Sequence, residues 1–252
     1  MSLIMPRYRL TIEYDGGSFV GWQRQKNGES VQSAVEDAFG KFTGQTPTIF
    51  SAGRTDAGVH ALAMTAHVDL DKDFSADVVR DALNFHLRPA AISILDTQIV
   101  SPEFHARFSC VERRYQYRIA NRRPPLALDA GRLWQVPQIL DAEAMHRAGK
   151  ALEGKHDFTT FRAAACQSNS PIRTLTKISV SRYDEEVVIA CAAPSFLHHQ
   201  VRSIAGALVE VGKGRWREQD LGDALDAKNR ARCGPVAPAH GLYFVKAIYE
   251  KS

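Results

Sequence analysis

YRLTIEYDGG, residues 8–17, is the stretch from which the fold can be worked out. From Tyr8 to Tyr14 the side chains alternate as expected for a strand, and the turn signal DGG follows directly. Ser30 then opens a helix, because residues 31–42 place apolar side chains three and four positions apart and Ser30 is a suitable N-cap. A strand, a turn and an amphipathic helix are therefore predicted first.

Similar patterns continue to residue 100. TIFSAG (48–53) and MTAHVDL (64–70) are typical of strands, residues 76–87 of a helix, and AISILDTQIV (91–100) of a further strand. The predicted element order of this half is β-α-β-β-α-β.

The second half repeats this plan. Its predicted elements are a strand over RRYQYRIA (113–120), a helix capped by Asp141 and continuing to Leu152, two strands within 175–193 around a turn at Tyr183–Asp184, helices over 198–211 and 221–227, and a strand over 241–250.

These patterns predict an α+β fold. Two related β-α-β-β-type halves, ferredoxin-like or RRM-like, would form antiparallel sheet with helices on one face. The predicted domains are 1–105 and 106–252. The segment between them, SPEFHARFS (101–109), has no glycine-rich or serine-rich tract, so we expect the halves to pack together and leave a cleft, the usual place for a site.

Composition excludes several classes of protein. With 252 residues, 44% hydrophobic and 24% charged, the chain can bury a core without disulfide or metal staples, and it is unlike disordered, collagen or coiled-coil sequences. It has no apolar run of about 18 to 20 residues, and MSLIMPRYRL (1–10) lacks the pattern of a secretory signal. We expect a cytoplasmic protein without a membrane segment.

The cysteines are too far apart for a metal site of the usual kind. The chain has no CxxC pair and no HExxH motif, whereas zinc and iron–sulfur sites need closely spaced ligands. We therefore expect four free thiols and catalysis by other groups. The cysteines are Cys110, Cys166, Cys191 and Cys233.

The formal net charge of +4 is unevenly distributed. Residues 1–100 contain 9 Lys+Arg and 12 Asp+Glu, whereas residues 101–252 contain 23 and 16. The basic excess is densest over 107–132, where seven arginines accompany only Glu112 and Asp129. Guanidinium groups bind phosphate bidentately, which favours a nucleic-acid contact. The alternative is a solvated strand edge whose arginines deter aggregation.

SAGRTDAGVHA, residues 51–61, is the most unusual local string. It follows an apolar strand, and its glycines bracket an Arg-Thr-Asp core, which suits a tight loop that approaches a ligand closely. The chain contains neither GxGxxG nor GxxxxGK[ST], so no phosphate-cradling loop is predicted. The competing interpretation is a turn in which Asp56 caps His60 or a nearby helix end.

The segment Gly53–His60 resembles the signature loop of the tRNA pseudouridine synthases of the TruA family. The resemblance extends over nearly the whole chain, and several long strings occur in the family's order. They are IEYDGGSFVGWQRQ (12–25), SVQSAVEDAF (30–39), FHARFSCVERRYQYRI (104–119), HDFTTFR (156–162), FLHHQVRSIAGALVEVGKG (196–214) and HGLYFVKAIY (240–249).

The resemblance implies an enzyme that isomerises uridine to pseudouridine in RNA, with Asp56 as the nucleophile. The uracil is detached from its sugar, rotated and reattached through carbon 5. This needs an ionised, positioned carboxylate but no metal, nucleotide cofactor or redox centre. Whether the carboxylate attacks the base or acts at the sugar is left open.

Further residues of the catalytic site follow from the same resemblance. Arg202 is similar in context to the family arginine that pairs with the nucleophile, and a buried carboxylate needs such a counter-charge. Tyr115 resembles the tyrosine that packs against the target uracil, although alternation alone cannot choose between Tyr115 and Tyr117. Leu242 looks like a residue of the uracil pocket, and Arg54 would help to displace the base or hold its phosphate.

Other features of the chain concern the grip on RNA and the assembly. Arginines that would bind the RNA backbone are Arg24, Arg107, Arg113, Arg114 and Arg118. The resemblance implies tRNA as partner, contacted at its anticodon arm and body, modification at positions 38, 39 and 40 of the anticodon stem-loop, and a homodimer. His198 and His199 are interpreted as packing or RNA-contact residues rather than as acid and base. One departure from the family is that Ala63 and Met64 stand where a glycine and a glutamine often occur.

Two alternatives to an RNA-modifying isomerase stay open from sequence. One is a noncatalytic RNA-binding or tRNA-folding protein that uses the same basic sheet, and the intact Asp56 speaks against it. The other is a metal-independent hydrolase built around Asp56, which would give a cleaved product and lacks an evident partner to activate water.

Overall fold

The strand and helix predicted around YRLTIEYDGG are both present in a computed structural model, which describes residues 5–250. Strand β1 spans Arg7–Tyr14 and buries every second side chain. Helix α1 spans Val31–Thr43, and the Ser30 side chain caps it by accepting a hydrogen bond from the Ser33 N–H. Residues 1–4, which open the stretch considered for a secretory signal, lie outside the described residues.

The other helices and strands follow in chain order. They are β2 (Phe50–Ser51), β3 (His60–Asp69), α2 (Ala76–His86), β4 (Ile92–Val100), β5 (Cys110–Ala120), β6 (Trp134–Gln135), α3 (Ala142–Gly149), β7 (Gly154–Asp157), β8 (Ile172–Leu175), β9 (Lys177–Tyr183), β10 (Glu186–Ala193), α4 (Gln200–Gly212), α5 (Glu218–Asp226) and β11 (Leu242–Tyr249).

Two compact units divide the chain. Unit 1 comprises the chain up to Arg113 together with the chain from Phe244 onward, and unit 2 comprises Arg114–Tyr243. In unit 1 the strands lie in the order β4-β1-β3-β11, and β2 pairs with the C-terminal half of β3. In unit 2 the order is β5-β10-β9, with β6 parallel to β5 and a separate two-stranded sheet of β7 and β8.

Each unit has its own apolar core. In unit 1, Leu10, Ile12 and Phe39 are fully buried, and α2 packs on β4 and on α1. In unit 2, Phe158 and Leu208 are fully buried among α3, α4 and α5. Each such side chain contributes roughly 1.5–3 kcal/mol through burial. None of the helices in residues 5–250 combines the length and apolar character needed to cross a bilayer.

The α+β class is confirmed, with antiparallel sheet and helices in both units. The predicted domain boundary between residues 105 and 106 differs from the unit boundaries. Unit 1 continues to Arg113, and it also includes the residues from Phe244 onward. The assignment of 1–105 and 106–252 as domains stays a prediction.

Some predicted elements have different lengths in the structure. Strand β2 covers two residues of the predicted TIFSAG strand. Helix α4 begins at Gln200 rather than His198, because His199 has φ 63°, a left-handed conformation that an α-helix does not allow. Strands β6, β7 and β8 were not predicted, since two to four residues are too few to establish an alternating pattern.

Candidate active site

Asp56 lies on residues 52–59, which we call the Asp56 loop, between β2 and β3. The loop begins where the Ala52 N–H donates to the Thr65 carbonyl (2.8 Å), and the Val59 N–H donates to the Asp56 carbonyl (3.1 Å). The Asp56 backbone also forms an isolated antiparallel bridge with Gly21. Asp56 itself is only half-buried. Its backbone is therefore fixed while the residue keeps access to solvent.

Residues 14–22 support this loop. The Tyr14 and Thr55 hydroxyl oxygens lie 2.8 Å apart in a buried hydrogen bond. The Trp22 N–H donates to the Thr55 carbonyl (3.0 Å), and the Trp22 ring packs on Tyr14 with centroids 6.0 Å apart. Thr55, the residue immediately before Asp56, is thus held through both its side chain and its backbone.

Two glycines of DGGSFVG make this close approach possible. Gly21 has φ 109°, and a Cβ there would lie 2.7 Å from the Thr55 carbonyl oxygen. A Cβ at Gly16 would lie 2.0 Å from the Val59 carbonyl oxygen. Both distances are shorter than any real contact of a side-chain carbon, so the Asp56 loop can reach this position only with glycine at these two sites.

The arginines of unit 1 differ in what they bind. Arg54 and Arg107 are exposed, and the Arg107 guanidinium lies over the Phe108 ring, 5.8 Å from its centroid. Arg113 instead donates from Nε to the Ala52 carbonyl (3.0 Å), from Nη1 to the Cys110 carbonyl (3.2 Å) and from Nη2 to the Arg107 carbonyl (2.6 Å). Arg113 therefore ties the start of the Asp56 loop to β5.

Arg24 pairs with a buried carboxylate. Glu36 on α1 is 3% exposed and accepts hydrogen bonds from Gln32 Nε2 (2.9 Å) and the Ile49 N–H (3.0 Å) as well as from the Arg24 guanidinium. These donors compensate the cost of burying the Glu36 charge. The Arg24 side chain remains about half exposed, at 53%.

In unit 2, burial separates the two tyrosines of RRYQYRI. Tyr117 is fully buried, and its hydroxyl donates to the Pro238 carbonyl (2.7 Å). Burial raises the pKa of Tyr117, so its hydroxyl stays protonated. Tyr115 is half-buried, and its ring meets the edge of Phe196 at 5.1 Å. Tyr115 is therefore the one of the two tyrosines with access to a ligand.

Arg202 lies in the first turn of α4 and is held by the loop that precedes β11. Its Nε donates to the Ala237 carbonyl (2.9 Å), while the Ala237 N–H donates to the Arg202 carbonyl (3.1 Å). The loop lies against α4 because Gly206 lacks a side chain, since a Cβ there would be 1.7 Å from the Pro235 carbonyl oxygen. Leu242, at the start of β11, is 6% exposed.

The remaining predicted residues of unit 2 include one arginine in a strong ion pair. Arg118 donates to both carboxylate oxygens of Glu186 (2.6 and 3.0 Å) across β5 and β10, and its guanidinium lies 5.4 Å from the Tyr243 ring centroid. The hydrogen bonds to Glu186 raise the pKa of Arg118. Arg114 is exposed. His198 is exposed, and its ring centroid lies 4.1 Å from that of His199.

Sequence reasoning missed the residues that hold the Asp56 loop. Tyr14 was assigned only to a strand, and Thr55 only to the core of the loop. Their contact joins residues 41 positions apart, which no local pattern reveals. The glycines of DGGSFVG were the available signal, since glycines next to an aromatic strand indicate a close backbone approach. Met64 is fully buried opposite Ile12, so the departure from the family there lies in the core of unit 1.

Residues 10–109 and 148–250 match the family model described as tRNA pseudouridine synthase. A solved structure titled as a Cbf5-Nop10-Gar1 complex is similar over 96% of this chain and 50% of that chain, with 10% sequence identity and a TM-score of 0.41, which is too weak to bear on fold or function.

Curated relatives match at much higher identity. The chain is 58% identical over 245 residues to "tRNA pseudouridine synthase A" of Maricaulis maris, covering 97% of this chain and 98% of that protein. It is also 58% identical over 245 residues to the protein of the same name from Rhodospirillum centenum, covering 97% of this chain and all of that protein. The Asp56 loop, α4 and β11 all fall within the matched ranges. The chain therefore belongs to the tRNA pseudouridine synthase family.

Proposed function

We propose that this chain isomerises uridine to pseudouridine at positions 38, 39 and 40 in the anticodon stem-loop of tRNAs, with Asp56 as the nucleophile. The observation that carries the proposal is the way the Asp56 loop is held. Thr55 is anchored by Tyr14 and Trp22, while Asp56 keeps a fixed backbone and a partly exposed side chain. A nucleophile needs this combination of fixed position and access.

The main chemical requirement of this reaction is a carboxylate held in position against the target nucleotide. The bond between N1 of uracil and C1′ of ribose breaks, the base turns, and a bond between C5 and C1′ forms. C5 loses its proton and N1 gains one, so the product is an isomer and no oxidant, reductant or second substrate is consumed. Asp56 attacks either the base or C1′, and both routes place its carboxylate against a nucleotide that has left the helical stack.

Four further residues have proposed roles at the target nucleotide. Arg202 supplies the counter-charge for Asp56, and its bond to the Ala237 carbonyl supports this role by fixing the guanidinium orientation. Tyr115 packs against the uracil, supported by its partial exposure beside a fully buried Tyr117. Leu242 lines the uracil pocket, and Arg54 displaces the base or holds its phosphate.

The proposed grip on RNA rests mainly on the arginines that remain exposed. Arg54, Arg107 and Arg114 are exposed, so each presents its charge to solvent. Arg24 is half exposed, but its guanidinium pairs with the Glu36 carboxylate. Arg113 and Arg118 are also proposed to contact the RNA backbone. The Arg113 guanidinium already binds carbonyl groups, and the Arg118 guanidinium already binds Glu186. We therefore expect them to contribute less to phosphate binding than the exposed arginines do.

The proposal extends to assembly and location. We expect two copies of the chain to form a homodimer that contacts the anticodon arm and the body of tRNA, because one copy of 252 residues offers limited surface for a molecule of that size. We also expect the protein to act in the cytoplasm.

Release of tritium tests the proposed reaction. Unmodified tRNA labelled at C5 of uridine loses its label to water when the C5–C1′ bond forms. We expect the wild-type chain to release tritium and Asp56→Asn to fall by at least about 10³-fold while it still binds tRNA. Asp77→Asn is the matched control, since Asp77 is a 79% exposed carboxylate on α2 of the same unit, and it should retain wild-type activity.

Three results would count against the proposal. Wild-type protein that releases no tritium from unmodified tRNA would overturn the isomerase function and favour the noncatalytic RNA-binding alternative. Full activity in Asp56→Asn would overturn the role of Asp56. A shortened RNA in place of an isomer would favour the hydrolase alternative.

A further inference from the structure

Phe108 lies at the exposed end of an aromatic cluster in unit 1. Its side chain is 77% exposed, whereas phenylalanine is usually buried. The Phe108 ring lies 4.4 Å from the His105 ring, His105 lies 4.5 Å from His67, and His67 stacks on Phe50 at 5.2 Å, measured between ring centroids. We call Phe50, His67, His105 and Phe108 the aromatic cluster.

Several hydrogen bonds hold the segment that carries Phe108. His105 Nδ1 accepts from the N–H groups of Arg107 (3.1 Å) and Phe108 (3.3 Å), and His67 Nδ1 accepts from the Ala106 N–H (3.2 Å). The Tyr249 hydroxyl donates to the Ala106 carbonyl (2.7 Å). The Phe108 ring is therefore presented on a fixed backbone, and little ordering entropy remains to be lost when a ligand binds.

The surroundings of the aromatic cluster favour an anionic ligand. Burial lowers the pKa of His67 to about 4 and also lowers the pKa of His105, so both rings are neutral at pH 7. Arg107 carries its charge beside the exposed Phe108 ring. Arg7 is neutralised by Asp69 at 2.7 Å. The Phe108 ring face and the Arg107 guanidinium are thus both accessible, on consecutive residues.

Arg113 connects this surface to the Asp56 loop. The Arg113 guanidinium donates to the Arg107 carbonyl (2.6 Å), next to Phe108, and to the Ala52 carbonyl (3.0 Å), at the start of the Asp56 loop. Phe50 of the cluster lies only two residues before Ala52 in the chain. A ligand that spans the two places would therefore contact groups with a fixed spacing.

We propose that Phe108, backed by His105, stacks on an unpaired nucleobase of the substrate RNA outside the target uridine, while Arg107 binds a neighbouring phosphate. This inference rests on the proposed function. Aromatic rings beside arginines are the usual means of holding unstacked bases, because every base has a π-face and every nucleotide a phosphate. A second copy of this chain would be the other occupant, but the exposed charge of Arg107 favours RNA.

The test compares two exposed phenylalanines of unit 1. Phe108→Ala removes the proposed stacking face, and Phe85→Ala makes the same change at the 69% exposed Phe85 of α2. Binding is measured with an unmodified tRNA transcript by filter retention at several salt concentrations. We expect Kd to rise about 5- to 150-fold in Phe108→Ala, as for loss of one stacked base, and to stay within about 2-fold of wild type in Phe85→Ala.

Two further variants distinguish stacking from charge. Phe108→Trp should retain wild-type affinity, because it keeps an aromatic face. Arg107→Ala should reduce the slope of log Kd against log salt by about 1, the contribution of one phosphate contact. Phe108→Ala should leave this slope unchanged, since an aromatic ring releases no counterions. Thermal unfolding of each variant shows whether the fold is retained.

The proposal would be overturned by wild-type affinity in Phe108→Ala, by an equal loss in Phe85→Ala, or by a loss in Phe108→Trp as large as in Phe108→Ala. It would also be overturned if sedimentation showed that Phe108→Ala changes the oligomeric state, since the surface would then be a contact between copies. The two proposals fail in different assays. If the wild-type protein forms no pseudouridine, the proposed function is refuted. If Phe108→Ala binds tRNA as tightly as wild type, this inference is refuted.

Discussion

At the scale of single residues, the chemistry of a side chain is decided by what its polar atoms already bind. Arg107 and Arg113 are close in sequence, but the Arg113 guanidinium donates to three carbonyl groups whereas Arg107 is exposed beside Phe108. The same holds for Tyr115 and Tyr117, which alternation places on one strand face and burial separates. Only the more accessible member of each pair, Arg107 or Tyr115, can respond to a ligand without disrupting its own unit.

His67 gives a pH-dependent prediction at this scale. Its pKa is lowered from the usual 6.5 to about 4, mainly by burial and then by the neighbouring His105. Between these pH values the unfolded chain binds a proton at this residue that the folded chain does not. The free energy of unfolding should therefore fall as pH drops from about 6.5 to about 4, and His67 should contribute no pH dependence above about 7.5.

Urea unfolding of wild type and His67→Gln at pH 7.5 and pH 5 measures this contribution. The destabilisation caused by His67→Gln should be smaller at pH 5 than at pH 7.5 by up to about 2 kcal/mol, because the wild-type chain has lost that much through linkage. Between pH 7.5 and 8.5 the two proteins should change in parallel. Parallel curves down to pH 5 would show that His67 is not held neutral.

At the scale of elements, α4 and the loop before β11 depend on each other. The loop carries the carbonyl group that orients Arg202, and it lies against α4 at Gly206, where a Cβ would be 1.7 Å from the Pro235 carbonyl oxygen. A residue with a side chain at this position would push the loop off the helix. The orientation of Arg202 would then change without any substitution at Arg202 itself.

Gly206→Ala tests this dependence, with Gly222→Ala as its control. We expect Gly206→Ala to lower the free energy of unfolding by about 2–4 kcal/mol, because backbone and helix must separate. Gly222 is also helical, but a Cβ there would lie 3.6 Å from Ala151 Cβ, an ordinary contact. Gly222→Ala should therefore gain up to about 1 kcal/mol from helix propensity. Urea unfolding of both variants checks the difference, and equal effects would refute the close approach at Gly206.

The elements themselves were largely predictable from sequence, because their signals are local. The spacing of apolar residues and the Ser30 cap predicted α1, and alternation predicted β1 and β5. The contacts that hold the site were not predictable in this way. The Tyr14–Thr55 hydrogen bond joins residues 41 positions apart, and the Arg113–Ala52 hydrogen bond joins residues 61 positions apart. Both depend on the register of strands that only the folded chain defines.

At the scale of the whole molecule, the path of the chain makes unit 1 depend on the last strand. The chain leaves unit 1 after Arg113 and returns at Phe244, so β11 completes a sheet begun by β1, β3 and β4. Phe244 is fully buried, Tyr249 donates to the Ala106 carbonyl, and the Phe104 and Tyr249 rings lie 5.0 Å apart. Loss of β11 would expose one side of β3 and release the segment that carries Phe108.

A chain that ends at Tyr243 tests this dependence against a control chain that ends at Glu250. Hydrogen exchange followed by mass spectrometry should show loss of protection in β1 and β3 of the shorter chain, because their sheet has lost a strand and a buried phenylalanine. Strands β9 and β10 pair with each other within unit 2 and serve as the internal reference. Equal protection of β1 and β3 in the two chains would show that unit 1 is stable without β11. If protection is lost instead, the Asp56 loop should lose its fixed position too, because Ala52 is anchored to Thr65 on β3, and tritium release should fall together with protection.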